Sequence, residues 1–190
     1  MKSILLILLV TSCATESLML KKKELLPYKE SSQLTKLQGL NKSINLTEVT
    51  DLRKTNLYGS AYTGVQYRKT PLTFDETLNA VVSDYMTSAL EMRNIQVNVE
   101  SEVNLVIEVE QMWVEEVIEK FQPEKVKCNV KMNFHVNLPN TKWSGSYWAE
   151  YLSAGNLGDG TEKLAPTLAS CMNEIVEKLI NDKKFINLLR

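Results

Sequence analysis

The segment Val126 to Leu138, VKCNVKMNFHVNL, shows the most regular alternation of apolar and polar residues in the chain. Its apolar series is Val126, Cys128, Val130, Met132, Phe134, Val136 and Leu138. Because successive side chains of a β-strand point to opposite faces, this alternation predicts a strand with one dry face and one wet face. Such a strand is typical of an antiparallel sheet that meets water on one side.

The segments on either side of this strand show the same period. Residues 103–109 alternate, and the pattern predicts a strand that continues through Trp113 towards Val117. Residues 143–152 predict the next strand, after a turn at Pro139-Asn140. Earlier in the chain, residues 43–53 (SINLTEVTDLR) and 95–99 predict two shorter strands, and 56–71 a loop that ends in a short strand.

Two segments have apolar residues at helical spacing. The first covers residues 78–90 and follows a capping box of Thr73 and Glu76, and the second covers 164–179 and follows a capping box of Asp159 and Glu162. The order of elements predicts an α+β fold. We expect a two-layer sandwich with a mainly antiparallel sheet of about four to five strands and two long helices packed on one face.

The N-terminus predicts export. Lys2 precedes the apolar run 4–10, which is much shorter than the roughly 20 residues that span a bilayer, so a signal peptide is expected. The end of the run, Val10-Thr11-Ser12-Cys13, resembles the lipobox of bacterial lipoproteins. This resemblance implies cleavage before Cys13, a diacylglycerol on its thiol and an acyl chain such as palmitate on its amine. The alternative is an ordinary signal peptide with a chance cysteine.

These observations divide the chain into three parts. Residues 1–12 are the expected lipoprotein signal peptide, 13–41 the lipidated cysteine and its tether, and 42–190 a single α+β periplasmic domain. A free coil of about 30 residues would hold its ends roughly 30 Å apart, although Leu20 and Leu25 could dock on the domain. Ala14, rather than Asp, follows the cysteine, which favours the outer membrane with the domain facing the periplasm.

Charge and residue content predict no catalysis, cofactor or metal. The chain has 22 basic and 23 acidic residues, and cleavage before Cys13 removes one lysine and changes the net charge from −1 to −2, so nucleic acid is not an expected partner. The single histidine, His135, falls on the wet face beside Asn133 and Asn137. The glutamates between 108 and 119 are expected to be a solvated face rather than a cation site.

The remaining candidate residues are cysteines and tryptophans. Cys128 and Cys171 both fall on apolar faces, and two interpretations stay open, a disulfide or two separate buried side chains. Trp113 and Trp148 are the candidate contacts with a partner, since exposed tryptophans are frequent contact residues. Trp143 is expected in the core.

Several segments together resemble the YajG-like family of bacterial envelope lipoproteins. They are the lipobox at Cys13, VTDLR at 49–53, LEMRNIQV at 90–97, VNLVIEVEQMWVE at 103–115 and FINLLR at 185–190. The resemblance implies an outer-membrane lipoprotein with no established enzymatic activity. Asp51 and Arg53 are expected to form a structural pair at a strand end.

The expected function is therefore non-catalytic. A lipid-anchored protein would assist envelope assembly or maintenance by binding a protein partner. The alternative is an auxiliary lipoprotein of a transport or export system that binds lipid or a transporter subunit. An envelope hydrolase has little support in this sequence, because no histidine or nucleophile is placed for it.

Overall fold

The computed structural model describes residues 17–25, 36–63, 68–119, 124–154 and 160–190. The expected signal peptide at 1–12, Cys13 and Asp159 lie outside these residues. No helix in the described ranges is both long enough and apolar enough to cross a membrane.

A mixed sheet of seven strands forms one layer of the fold. The strands are β1 (Leu18–Leu20), β2 (Asn45–Asp51), β3 (Gly59–Thr63), β4 (Arg68–Phe74), β5 (Asn104–Val117), β6 (Lys125–Leu138) and β7 (Thr141–Ala154). Their order is β1-β4-β3-β5-β6-β7, and β2 also pairs with β5. The meander β5-β6-β7 is antiparallel along its whole length.

The expectation of four to five mainly antiparallel strands with two helices is wrong. β1 pairs with β4, β2 with β5 and β3 with β5 in parallel, which makes the sheet mixed. The described chain also has three helices, α1 (Leu78–Glu91), α2 (Gly160–Asn181) and α3 (Lys183–Leu189). The class is still α+β. The predicted strand at 95–99 is reduced to one bridge between Ile44 and Val97.

The helix boundaries follow from their caps. Thr77, rather than Thr73, caps α1, because its hydroxyl accepts a hydrogen bond from the Ala80 amide and Thr73 belongs to β4. Asp182 separates α2 from α3, because its carboxylate accepts the amides of Lys184 and Phe185 at 2.7 and 3.2 Å.

β5 is the strand that organises the sheet. On one edge it pairs with β6, and on the other it pairs first with β2 and then with β3. Gly59 begins β3 at φ +152°, and a Cβ at this position would lie 1.6 Å from the carbonyl oxygen of Val114 on β5. Only glycine lets the two backbones approach in this way.

All three helices pack against the apolar face of the sheet, where the buried residues form one core. Tyr85 of α1 donates a hydrogen bond of 2.9 Å to the carbonyl of Ala169 on α2. Arg93, which has no exposed surface, contacts Glu177 of α2 through two nitrogens at 2.9 and 2.6 Å. These contacts fix α1 to α2 above the sheet.

Candidate partner-binding face

The face of the sheet opposite the helices is the candidate site, and we call it the open face. It is formed by side chains of β5, β6 and β7. They are Val106, Glu108, Glu110, Trp113, Glu115, Lys127, Asn129, Lys131, Asn133, His135, Ser144, Ser146, Trp148, Glu150 and Leu152. These side chains are half-buried or exposed, whereas their neighbours along β5 and β6 are almost all fully buried.

A β-bulge in β5 sets which residues reach the open face. The pairing with β6 shifts between Val109 and Gln111, so the extra residue Glu110 changes the phase of the strand. Val109 and Met112 are both buried, three positions apart. The predicted alternation through Trp113 is therefore wrong in phase, and Trp113 faces away from the core.

The two candidate contact tryptophans lie on the open face on either side of β6. Trp113 pairs with Asn129, and Trp148 pairs with Lys131, so one strand separates them. Two strand spacings correspond to about 10 Å. Trp113 is half-buried and Trp148 is 50% exposed.

Two more large apolar side chains are exposed near Trp148, and neither was a predicted partner contact. Leu152 is 52% exposed on the open face, and Tyr151 is 45% exposed on the other side of β7. A signal was available, because Trp148, Tyr151 and Leu152 fall within five residues of one strand.

Three glutamates of the open face are paired with lysines. The partners are Lys127 with Glu150, Lys131 with Glu110, and Lys69 of β4 with Glu115. Exposed pairs of this kind each contribute at most about 1 kcal/mol to stability. Their consequence is that most of the charge around the tryptophans is compensated within the surface itself.

Glu110 is held as an anion by its neighbours. Lys131 and then Asn133, whose amide nitrogen lies 2.7 Å away, donate hydrogen bonds to its carboxylate and hold its pKa below the usual range. His135 Nε2 lies 3.3 Å from a Glu108 oxygen, without hydrogen-bond geometry. The histidine is on the polar face, as predicted.

A groove of about 660 Å³ opens beside Trp113, at the point where β2 has ended and β3 has not begun. It is lined by Leu52, Arg53, Lys54, Thr55, Glu110, Gln111, Met112, Trp113 and Lys131. The bulge of β5 forms one wall and the loop after β2 forms the other. Most of its surface is apolar, although six of its nine lining residues are polar or charged.

Arg53 shapes the outer wall of this groove and is not free to bind a ligand. Its Nε and Nη2 atoms contact the Asp51 carboxylate at 2.9 Å, and its guanidinium carbon lies 4.2 Å from the centre of the Tyr58 ring. These hydrogen bonds lower the pKa of Asp51. The pair is structural, which agrees with its predicted role.

At the free edge of β7, α2 contributes one lysine. Nζ of Lys178 donates a hydrogen bond to the carbonyl oxygen of Trp148 and also contacts Glu174 at 2.7 Å. The carbonyl of Trp148 therefore points out of the sheet, away from β6.

The remaining predicted residues lie elsewhere. Cys128 of β6 and Cys171 of α2 are fully buried and joined as a disulfide, with the sulfur atoms 1.98 Å apart. Trp143 packs its ring 5.1 Å from that of Phe185 on the helix side. Among the described residues, no three His, Cys, Asp or Glu side chains come together in a way that could hold a metal ion.

Comparison with known proteins gives a family and a fold. A crystal structure of a Xanthomonas campestris protein of the family DUF330 is similar with a TM-score of 0.55 at 9% identity, covering 86% of this chain and 92% of that one. A second, described only as an uncharacterized protein, has a TM-score of 0.45 at 13% identity, covering 76% and 96%. At these identities the likeness concerns the fold alone.

No curated protein matches the chain. A family described as uncharacterized lipoprotein matches residues 33–190, which include the sheet from β2 onwards and all three helices. This match confirms the resemblance drawn from the sequence, and the chain belongs to the YajG family of uncharacterized lipoproteins.

Proposed function

We propose that this lipoprotein is anchored by acyl chains on Cys13 and binds a protein partner in the bacterial envelope through its open face, without catalysing a reaction. Assistance in envelope assembly or maintenance is the role that fits such a protein. The observation that carries the proposal is the pair Trp113 and Trp148 on a helix-free face whose lysines are already paired with glutamates.

The physical argument is one of desolvation. Tryptophan gains most from a contact because it buries a large apolar area with little loss of side-chain freedom. The surrounding charges have partners within the sheet, so a docking protein would not leave them newly unpaired. Trp148 and Leu152 together expose an apolar area on a strand that is rigidly paired with β6, which preorganises the surface.

The disulfide supports an envelope location. Disulfide bonds persist in oxidising compartments such as the bacterial periplasm and are rare in the cytosol. Cys128 and Cys171 are therefore consistent with a domain that faces the periplasm, and Ala14 favours the outer membrane.

Photocrosslinking in living cells tests the partner. A photoreactive amino acid at position 148 or 113 should capture the same envelope protein, whereas one at Val99, which is 83% exposed and outside the open face, should not. Trp148→Ala should abolish co-purification of that protein and change the unfolding free energy by no more than about 0.5 kcal/mol. Equal capture from positions 148 and 99 would contradict the proposal.

The groove beside Trp113 favours a second candidate, an auxiliary role in transport or export in which an apolar ligand is bound. Leu52 and Trp113 contribute apolar side chains to it, and at about 660 Å³ it is large enough for part of a lipid. Native mass spectrometry of protein extracted from membranes should then show a bound lipid mass that is lost in Leu52→Glu. Identical spectra of the two proteins would remove this candidate.

A further inference from the structure

The N-terminal residues 17–25, which precede the family match at 33–190, are docked onto the domain rather than free. β1 (Leu18–Leu20) pairs in parallel with β4, from Leu18 beside Leu72 to Leu20 beside Phe74. Leu20 and Leu25 are each only 3% exposed. This segment belongs to the stretch that the sequence predicted as a tether of about 30 residues.

Lys22 fastens the same segment to the beginning of α1. Its ammonium group contacts the carboxylates of Glu76 and Asp84 at 2.7 and 2.6 Å. Its amide donates to Asp75 Oδ1 at 2.9 Å, and the Asp75 amide donates to the carbonyl of Leu20 at 3.1 Å. The hydrogen bonds to Asp84 and Glu76 raise the pKa of Lys22 to about 12.

The docked segment leaves only a short connection to the lipid. Leu18 follows Cys13 by five residues, which span at most about 17 Å when fully extended. A free coil of about 30 residues would have let the domain rotate and stand clear of the bilayer. With β1 docked, the start of that strand stays within reach of the headgroups.

The side chains exposed on this segment suit a lipid surface. Met19 is 59% exposed, and Lys21 and Lys23 are exposed beside it. Glu24 is also exposed, so the exposed charges of residues 17–25 sum to one positive charge. An apolar side chain with a small positive charge is compatible with a zwitterionic or anionic headgroup layer, but binds it weakly by itself.

We infer that the β1 edge of the sheet, with Met19, Lys21 and Lys23, is the membrane-facing surface of the domain, held at the lipid headgroups by the short chain from Cys13. The inference rests on the proposed lipidation of Cys13. In the order β1-β4-β3-β5-β6-β7, five strand spacings, or about 24 Å, separate β1 from β7. Trp148 on β7 therefore stands on the side away from the bilayer, where a partner in the aqueous phase can reach it.

Fluorescence quenching by headgroup-labelled lipid tests this orientation. The lipidated chain is reconstituted into vesicles of phosphatidylethanolamine and phosphatidylglycerol, with a fluorophore on a cysteine introduced by Lys21→Cys or, as the matched control on β7, Lys142→Cys. The thiol of Cys13 is acylated and Cys128 and Cys171 are bonded, so only the new cysteine reacts. We expect quenching at least about three-fold stronger at position 21 than at 142, from the difference in reach.

A longer connection is the second arm of the test. Insertion of a flexible Gly/Ser linker of about 20 residues between Glu16 and Ser17 should bring the ratio of quenching at position 21 to quenching at position 142 towards one. The longer connection to Cys13 then no longer holds β1 at the membrane surface. Equal quenching at the two positions in the parent protein, or an unchanged ratio after the insertion, would overturn the inference.

Sedimentation of the same samples with the vesicles separates this failure from failure of the anchor. If neither the parent protein nor the Cys13→Ala variant sediments with the vesicles, the proposed lipidation is wrong. If only Cys13→Ala stays in solution and the quenching is equal at both sites, the anchor stands and the orientation is refuted. Circular dichroism of each labelled variant shows that the fold is retained.

Discussion

The disulfide between β6 and α2 should contribute substantially to the unfolding free energy of this domain. Cys128 and Cys171 are separated by 43 residues, and closing a loop of that length removes about 13 cal/mol/K from the entropy of the unfolded chain, which is about 4 kcal/mol at room temperature. For a domain of this size, the melting temperature should fall by about 8–16 °C when the bond is absent.

Thermal and urea unfolding measure this contribution in three samples. They are the oxidised protein, protein that was reduced while unfolded and then refolded, and the Cys128→Ala/Cys171→Ala double variant. Both sulfurs are buried, so reductant added to the folded protein should act slowly. Cys171→Ala alone is the matched control and should lose as much stability as the double variant. Identical unfolding midpoints for oxidised and reduced protein would refute the reasoning, as would two free thiols in protein isolated from cells.

Three further predictions concern substitutions of single residues. Gly59→Ala should lower the unfolding free energy by about 3 kcal/mol or more, measured by urea titration, because its Cβ would overlap the carbonyl of Val114 on β5. Glu177→Ala should lower the unfolding free energy by about 3 kcal/mol, because it leaves the buried guanidinium of Arg93 without its carboxylate partner. Glu177→Gln should lower it by less. Equal losses for the two variants would show that the charge of Glu177 does not stabilise the fold. Burial raises the pKa of Glu116, so the stability of the wild type should fall as the pH rises from the ordinary pKa of glutamate through the raised pKa. Glu116→Gln should remove that fall and should match the stability of the wild type at low pH. Parallel profiles of stability against pH for the two proteins would contradict this.

The meander was the part of the fold that local pattern could predict. The alternation in β6 is uninterrupted from Val126 to Val136, because one face packs on α2 and the other meets water along the whole strand. Antiparallel pairing of strands that follow one another along the chain keeps this pattern readable in a single segment.

β1 and β3 were missed, and β4 was predicted only as a short strand at the end of a loop, because all three have weak local patterns. β1 has only three residues and lies in a lysine-rich stretch, and β4 contains Pro71, a residue that argues against an inner strand. β3 begins at Gly59 and joins β5 in parallel, a pairing with a residue about 55 positions away. Parallel pairing of distant segments leaves no signature in local alternation.

The candidate site was predicted only in part. Trp148 could be placed by alternation with Trp143 on the same strand. The groove beside Trp113 could not, because it depends on the loop after β2 meeting a bulge in β5. The consecutive polar residues Glu110 and Gln111 were the available signal that the strand changes phase there.

The hydrogen bond from Lys178 to the carbonyl of Trp148 has a consequence for crowding. Lipid anchors confine a protein to two dimensions, where neighbouring copies meet far more often than in free solution. A free strand of 14 residues such as β7 would be a template for chain-to-chain β pairing and fibril growth. An ammonium group on one of its outward carbonyls opposes that pairing, which would matter most where lipid-anchored copies are crowded on a membrane.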